Sequence, residues 1–141
     1  MYSKIIGIVG ARCRNTELDY CKTRKAFWSV ARRGDLIVSG GCHKGGDWFA
    51  ERIASVDRFP IRVHLPNKSK LDSTLALLNY RAAYAQIAYA RNVLIANDAD
   101  VLIAVVAPDR KGGTEHTIKC FLKKISTDEP TAVQQKKLVL V

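Results

Sequence analysis

The chain is 141 residues long, enough for one domain whose core needs no cross-links, and we expect a single domain over residues 1–141. Hydrophobic residues make up 48% of the sequence and charged residues 26%, values that exclude a mostly disordered chain. The net charge of +10 fits a nucleic acid partner, a phosphate-rich small ligand or simple solubility, and does not separate them.

The N-terminus and the cysteines indicate the cellular environment. Residues 1–4 run directly into a strand-like segment, and no apolar run has the length of a membrane span, so we expect a cytoplasmic protein without a membrane partner. The cysteines show neither paired nor zinc-site spacing, and we therefore expect free thiols and no metal site. They are Cys13, Cys21, Cys42 and Cys120.

The first predicted elements are a strand and a helix. The strand covers residues 4–9 and ends in a glycine. Asn15 or Thr16 can cap the helix that follows, because both side chains accept hydrogen bonds from free backbone amides. This helix should run to about Arg33, where Gly34 would end it.

A glycine-rich loop follows the second predicted strand. The strand is the apolar run over residues 36–39, and residues 40–47 then read Gly-Gly-Cys-His-Lys-Gly-Gly-Asp. We expect Asp47 to cap a helix over residues 48–54. A strand, a glycine loop and a helix N-terminus together are typical of a phosphate site. The alternative is a tight connection that only requires positive φ angles.

The middle of the chain predicts a short strand and a helical region. The strand lies within residues 58–65, and Pro60 indicates either an edge position or a start at Ile61. Residues 67–70 form a polar loop. Residues 71–97 contain no glycine or proline and predict one or two helices, with a break near Asn79 or before Arg91.

The last third predicts a buried strand, a helix and a final strand. Residues 101–106 are apolar throughout, which is typical of a strand covered on both faces. A helix over residues 114–124 follows, then a polar connection over residues 126–135 and a strand over residues 137–141.

Strands that alternate with helices predict a three-layer α/β sandwich of Rossmann-like type, with a mostly parallel five-stranded sheet. In such a fold, ligands bind at the carboxyl ends of the strands. Gly10, the glycines of residues 40–46 and the pair Gly112-Gly113 all follow strands, so we expect three glycine loops at one edge of the sheet.

The ordered motifs at this edge resemble the SLOG superfamily. The motifs are Gly10-Ala11-Arg12, Ser39-Gly40-Gly41 with Gly45-Gly46-Asp47, Arg91-Asn92, and Gly112-Gly113-Thr114 with Thr117. This superfamily joins the Lonely Guy phosphoribohydrolases, the DNA-processing protein DprA and small YspA-type Rossmann-like domains. The YspA-type pattern fits best, and the similarity runs through residues 4–124.

The resemblance implies binding of a nucleotide or nucleotide-derived ligand, of the NAD, ADP-ribose or nucleoside monophosphate class, with no required cofactor. In that comparison Arg12, Lys44 and Arg91 face phosphates, and Asp47 caps its helix or holds a ribose hydroxyl. The implied ligand-binding set is Gly10, Ala11, Arg12, Gly40, Gly41, Cys42, His43, Lys44, Gly45, Asp47, Arg91, Asn92, Gly112, Gly113, Thr114 and Thr117. Arg110 and Lys111, before the glycine pair, can also reach a ligand.

Phosphoribohydrolase activity is one alternative that the resemblance leaves open. The Lonely Guy motif carries a glutamate three residues after its threonine, and this chain has Thr117 there. Cleavage of an N-glycosidic bond needs a carboxylate. The candidate catalytic residues are Arg91, Glu115 and Asp47, and whether the protein is an enzyme stays open.

Binding of single-stranded nucleic acid, as in DprA, is the other alternative. Arg12, Arg14, Lys44 and Arg91 would then follow a phosphodiester backbone. Bases would stack on Trp48, Tyr80, Tyr84 or Tyr89, although we expect Trp48 and Phe49 to pack in the core. Residues 71–89 carry more apolar surface than one helix needs against a sheet, and we expect a homodimer through this segment.

Overall fold

A computed structural model describes residues 2–126 and 137–141. Helices cover both faces of a five-stranded sheet, so the protein has three layers. In chain order the elements are β1 (Ile5–Gly10), α1 (Glu17–Val30), β2 (Leu36–Ser39), α2 (Gly46–Val56), β3 (Ile61–Val63), a 3-10 helix (Lys68–Lys70), α3 (Ser73–Leu78), α4 (Tyr80–Asp98), β4 (Val101–Val105), α5 (Gly113–Ser126) and β5 (Leu138–Leu140).

The sheet is parallel throughout, with the strand order β3-β2-β1-β4-β5. All five residues of β4 are buried, as the continuous apolar run predicts. The predicted fold class is therefore confirmed, and β3 lies at an edge of the sheet, as Pro60 indicates. Because β1 lies between β2 and β4, the chain direction across the sheet reverses at β1, which creates a switch point.

Each face of the sheet has its own hydrophobic core. On one face α1 and α2 bring Phe27 and Phe49 onto the strands. On the other face α4 and α5 contribute Ile95 and Phe121. All four of these side chains are almost completely buried, so both helical layers are fixed to the sheet by apolar packing.

Helix α1 begins as predicted but ends early. Thr16 accepts from the amide of Asp19, and the Asp19 carboxylate accepts from the amide of Thr16, which forms a capping box. The predicted end near Arg33 is wrong because the helix stops at Val30. Before β2 the chain turns, and the Asp35 carboxylate accepts a 2.8 Å hydrogen bond from the amide of Arg32.

Asp47 is not the cap of α2, so that prediction is wrong. The helix begins at Gly46, and its N-cap is Gly45, which makes no side-chain hydrogen bond to the helix. Asp47 lies in the first turn and is only 7% exposed. Its carboxylate contacts Ser39 and Cys42 instead, because the side chain points back toward the end of β2.

The predicted break in residues 71–97 lies at Asn79. Its side chain caps α4 by accepting from the amide of Ala82 at 3.2 Å. The predicted polar loop over residues 67–70 contains a 3-10 helix. Helix α3 buries none of its residues, and Leu77 and Leu78 are 89% and 82% exposed. A homodimer through this segment stays a prediction.

The C-terminal elements agree with the predicted ones at their centres. Helix α5 starts one residue before the predicted Thr114 and ends at Ser126. The rest of the predicted polar connection, over residues 127–135, lies outside the described residues. Strand β5 occupies the middle of the predicted segment. Among the described helices, none has both the length and the apolar character that crossing a membrane requires.

Candidate functional site

A cleft of about 520 Å³ opens at the carboxyl ends of β1 and β4, beside the switch point. This volume lies within the usual range of small-molecule binding sites. The walls come from the loops after β1, β2 and β4, from one face of α4 and from the first turn of α5. The lining residues are Val9, Gly10, Ala11, Arg12, Cys42, Asp47, Arg81, Tyr84, Ala85, Ala88, Tyr89, Arg91, Asn92, Ile95, Lys111, Gly112, Gly113, Thr114 and Thr117.

Basic side chains dominate the charge of the cleft. Four basic residues line it, and among the described residues of the wall only Asp47 carries a carboxylate; the basic residues are Arg12, Arg81, Arg91 and Lys111. Guanidinium groups form paired hydrogen bonds with phosphate oxygens, and a lysine adds a point charge. The electrostatics of the cleft therefore favour an anionic ligand.

Arg91 is held in place by backbone and side-chain acceptors. One terminal nitrogen donates to the carbonyl of Gly40, and its Nε donates to Asn92 Oδ1 at 3.0 Å. A Cβ atom at position 40 would lie 2.6 Å from the same terminal nitrogen. Gly40 therefore admits the guanidinium of Arg91, which positions this charge before any ligand binds.

Asp47 organises the loop after β2. Its Oδ1 lies 3.0 Å from Ser39 Oγ, and its Oδ2 accepts from the amide of Cys42 at 3.1 Å. Burial raises the pKa of Asp47, while the amide of Cys42 and the charge of Arg91 oppose this shift. The carboxyl group at the cleft wall is thus easier to protonate than an exposed aspartate.

The glycines that precede α2 serve backbone packing. Gly45 has φ 74°, and its amide donates to Asn15 Oδ1 at 2.8 Å. A Cβ atom at position 46 would lie 2.3 Å from the carbonyl carbon of Val9. The N-terminus of α2 therefore packs directly on the loop after β1, and this close approach accounts for Gly45 and Gly46.

The structure brings most of the predicted ligand-binding set to the cleft. The residues that line it are Gly10, Ala11, Arg12, Cys42, Asp47, Arg91, Asn92, Gly112, Gly113, Thr114 and Thr117. The predicted residues that do not line it are Gly40, Gly41, His43, Lys44 and Gly45. The glycine loop after β2 thus contributes chiefly through Cys42 and Asp47, and its lysine lies outside the wall.

The helix end that meets the cleft is that of α5. Gly112, Gly113 and Thr114 form its first turn and the residue before it, and all three line the cleft. The first amides of a helix have no acceptor within the helix, and they carry a partial positive charge. Thr117 donates its hydroxyl to the carbonyl of Gly113 at 3.2 Å, so it stabilises this turn.

Glu115 lies outside the cleft wall. Both of its carboxylate oxygens accept from Arg110, each at 2.9 Å. This ion pair also occupies the guanidinium that the sequence offered as a ligand contact, whereas the neighbouring Lys111 does line the cleft. Of the candidate catalytic residues, Asp47 and Arg91 lie at the wall and Glu115 does not.

Sequence reasoning missed part of the wall that α4 provides. Arg81 and the alanines at 85 and 88 line the cleft, and none of them was predicted. Their positions precede Asn92 by steps of three or four residues, which is the spacing of one helix face. Extending the predicted Arg91-Asn92 pair backward along the helix would have found them.

The aromatic candidates divide between cleft, surface and core. Tyr84 and Tyr89 line the cleft, while Tyr80 does not and is 56% exposed. Phe49 is buried in the core as expected. Trp48 is 43% exposed, so its predicted core packing is wrong. It neighbours Phe49 in α2 and therefore points to a different side of the helix.

Comparison with known proteins identifies the fold. No family model and no curated protein matches the chain. The chain is similar to the structure of the molybdenum cofactor binding protein from the phototrophic bacterium Rippkaea orientalis, with 19% identity and a TM-score of 0.64. The likeness covers 100% of this chain and 90% of that one. What the two share is the fold. The resemblance to the SLOG superfamily stays a prediction.

Proposed function

We propose that the protein binds a nucleotide or a nucleotide-derived phosphate ligand in this cleft. The observation that carries the proposal is the joint placement of basic side chains, a helix N-terminus and two tyrosines around one concave site. Cations and helix amides bind phosphate oxygens, and tyrosine rings bind planar bases. The switch point of a parallel sheet is also where such folds bind ligands.

Binding without cleavage is the form of the proposal that the carboxylates support. Among the described residues that line the cleft, Asp47 alone carries a carboxylate, and its oxygens already contact Ser39 and Cys42. Glu115 is paired with Arg110. Asp47 is thus engaged in holding the loop after β2, and Glu115 lies outside the cleft wall, so we propose binding and not N-glycosidic hydrolysis.

A thermal-shift and calorimetry series tests the proposal. The probes are AMP, ADP-ribose, NAD and a short single-stranded oligonucleotide, each at two salt concentrations. We include a molybdenum cofactor because the similar structure is described as binding one. Stabilisation by an intact nucleotide supports the proposal. Selective binding of the oligonucleotide with a steep salt dependence, or binding of the molybdenum cofactor alone, would replace it.

Two arginine variants locate the binding site. Arg12→Gln and Arg81→Gln each remove one charge from the cleft, and both side chains belong to exposed residues, so the fold should persist. Loss of one phosphate contact should weaken nucleotide binding about tenfold to a hundredfold, because a charged hydrogen bond contributes about 1.5–3 kcal/mol. Arg32→Gln, in the loop before β2, is the matched control and should leave affinity unchanged.

Cys42 offers an independent readout of the same site. It lines the cleft, whereas Cys21 is exposed on α1 outside it. A bound nucleotide should slow alkylation of Cys42 by iodoacetamide and leave Cys21 unaffected, as measured by mass spectrometry. A nucleotide that raises the melting temperature without protecting Cys42 must bind elsewhere, and that result would contradict the proposed location.

A further inference from the structure

We propose that the stacked pair Tyr89 and His116 is the platform on which the planar ring of the ligand lies, so that the cleft selects phosphates that carry an aromatic heterocycle. This inference rests on the proposed function and assigns His116 a role in it. His116 is absent from the predicted ligand-binding set, and its ring supports Tyr89 without lining the cleft.

The two rings are close and nearly parallel. Their centroids are 4.3 Å apart and their planes differ by 20°. Tyr89 lines the cleft, and His116, which stacks on it, does not. Tyr89 remains 44% exposed beside His116, so part of its surface is open to a ligand in the cleft. A ring bound there would extend an existing stack.

Two polar groups flank the imidazole at the long end of hydrogen-bond distances. Its Nδ1 lies 3.5 Å from Asn92 Nδ2, and its Nε2 lies 3.7 Å from Cys120 Sγ. The orientation of the Asn92 amide follows from Arg91, whose Nε donates to Asn92 Oδ1. The amide nitrogen therefore faces His116. One network thus holds both a cleft arginine and the ring that supports Tyr89.

Tyr84 is less suited to be the platform, although it also lines the cleft. Its neighbour in a stack is Tyr80, at a centroid distance of 6.1 Å and an angle of 29°. Tyr80 is 56% exposed and lies near the start of α4. A platform whose support is held in place pays less ordering entropy on binding. Tyr89, supported by a partly buried imidazole, meets that condition.

The test compares two probes that share a phosphate and differ in the base. AMP carries a purine and ribose 5-phosphate does not, and calorimetry measures both. Base stacking on an aromatic side chain predicts that AMP binds about tenfold more tightly or better. Tyr89→Leu should remove this preference and leave ribose 5-phosphate affinity unchanged, whereas Tyr89→Phe should keep the preference. Tyr80→Leu, on the same helix, is the control.

His116→Gln tests the support without touching the cleft wall. It should reduce the preference for AMP several-fold, and His116→Phe should restore it because the stacked ring returns. Equal binding of AMP and ribose 5-phosphate by the unaltered protein overturns the platform and leaves the proposed function standing. Equal weakening of both probes by Tyr89→Leu overturns the platform as well. If neither probe binds, the platform is overturned, and the proposed function is overturned with it only when ADP-ribose and NAD also fail to bind.

Discussion

Asn92 contacts two residues of the cleft wall and the His116 ring behind it, and its removal should destabilise the protein. It is only 6% exposed, and its carbonyl accepts from Arg91 Nε at 3.0 Å. Its amide nitrogen lies 3.2 Å from the carbonyl of Gly113 and 3.5 Å from Nδ1 of His116. Asn92→Ala deletes all three contacts, among them the charge-assisted bond from Arg91.

The expected loss of stability follows from the kinds of contact. The bond from the arginine is charge-assisted and is worth about 1.5–3 kcal/mol, and the bond to the Gly113 carbonyl contributes about 1 kcal/mol. The longer contact to His116 adds little. We therefore expect Asn92→Ala to lower the free energy of unfolding by about 2.5–4 kcal/mol, a large share of a typical total of about 5–15 kcal/mol.

Urea denaturation followed by circular dichroism measures this loss. Asn97→Ala is the matched control, because Asn97 is exposed on the same helix. The control should change stability by less than about 0.5 kcal/mol. If the two variants unfold within about 0.5 kcal/mol of each other, the three contacts of Asn92 do not contribute to the stability of the protein.

Three further predictions concern charged and titratable side chains of the helical layers. The hydrogen bond from Arg24 holds the pKa of Asp57 below its usual range, so this ion pair stabilises the fold at neutral pH and loses its effect below about pH 4. Asp57→Asn should therefore lower the free energy of unfolding by about 1–2 kcal/mol at pH 7 and by less at pH 3, as measured by urea denaturation. Burial lowers the pKa of His116, so the unfolded chain binds more protons as the pH falls below about 6.5, and the melting temperature should drop. His116→Phe should show a smaller drop between pH 7.5 and pH 5.5. Lys124 Nζ donates to three backbone carbonyls at the end of α4, so Lys124→Met should lower the melting temperature by several degrees while Lys123→Met, on an exposed residue, should not.

The sheet was predictable because each strand is bounded by its own local signals. The run at residues 101–106 is apolar throughout, and Gly40 follows the second strand directly. Thr16 likewise gives the start of α1. The end of α1 was not predictable from Gly34, because the turn before β2 depends on the Asp35 carboxylate and begins three residues earlier.

The cleft was only partly predictable, since glycine has more than one structural use. The same sequence pattern allows a phosphate loop and a close packing of two backbones, and at Gly45 and Gly46 the structure shows the second. Only the position of the loop after β1 distinguishes the two, and this position is a tertiary property. Similarly, the sequence position of Glu115 makes it a candidate catalytic acid, and only the structure shows that its carboxylate is paired with Arg110.

The two helical layers contribute differently to the cleft. The layer of α1 and α2 carries one core and packs its glycine-rich helix start against the loop after β1. The layer of α4 and α5 carries the other core and also supplies most of the cleft wall. Asn92 connects the helices of this second layer, through Gly113 and His116. The orientation of Arg91 and the ring that supports Tyr89 therefore depend on the packing of α4 against α5. A ligand that contacts both helices should stabilise this layer more than the layer of α1 and α2.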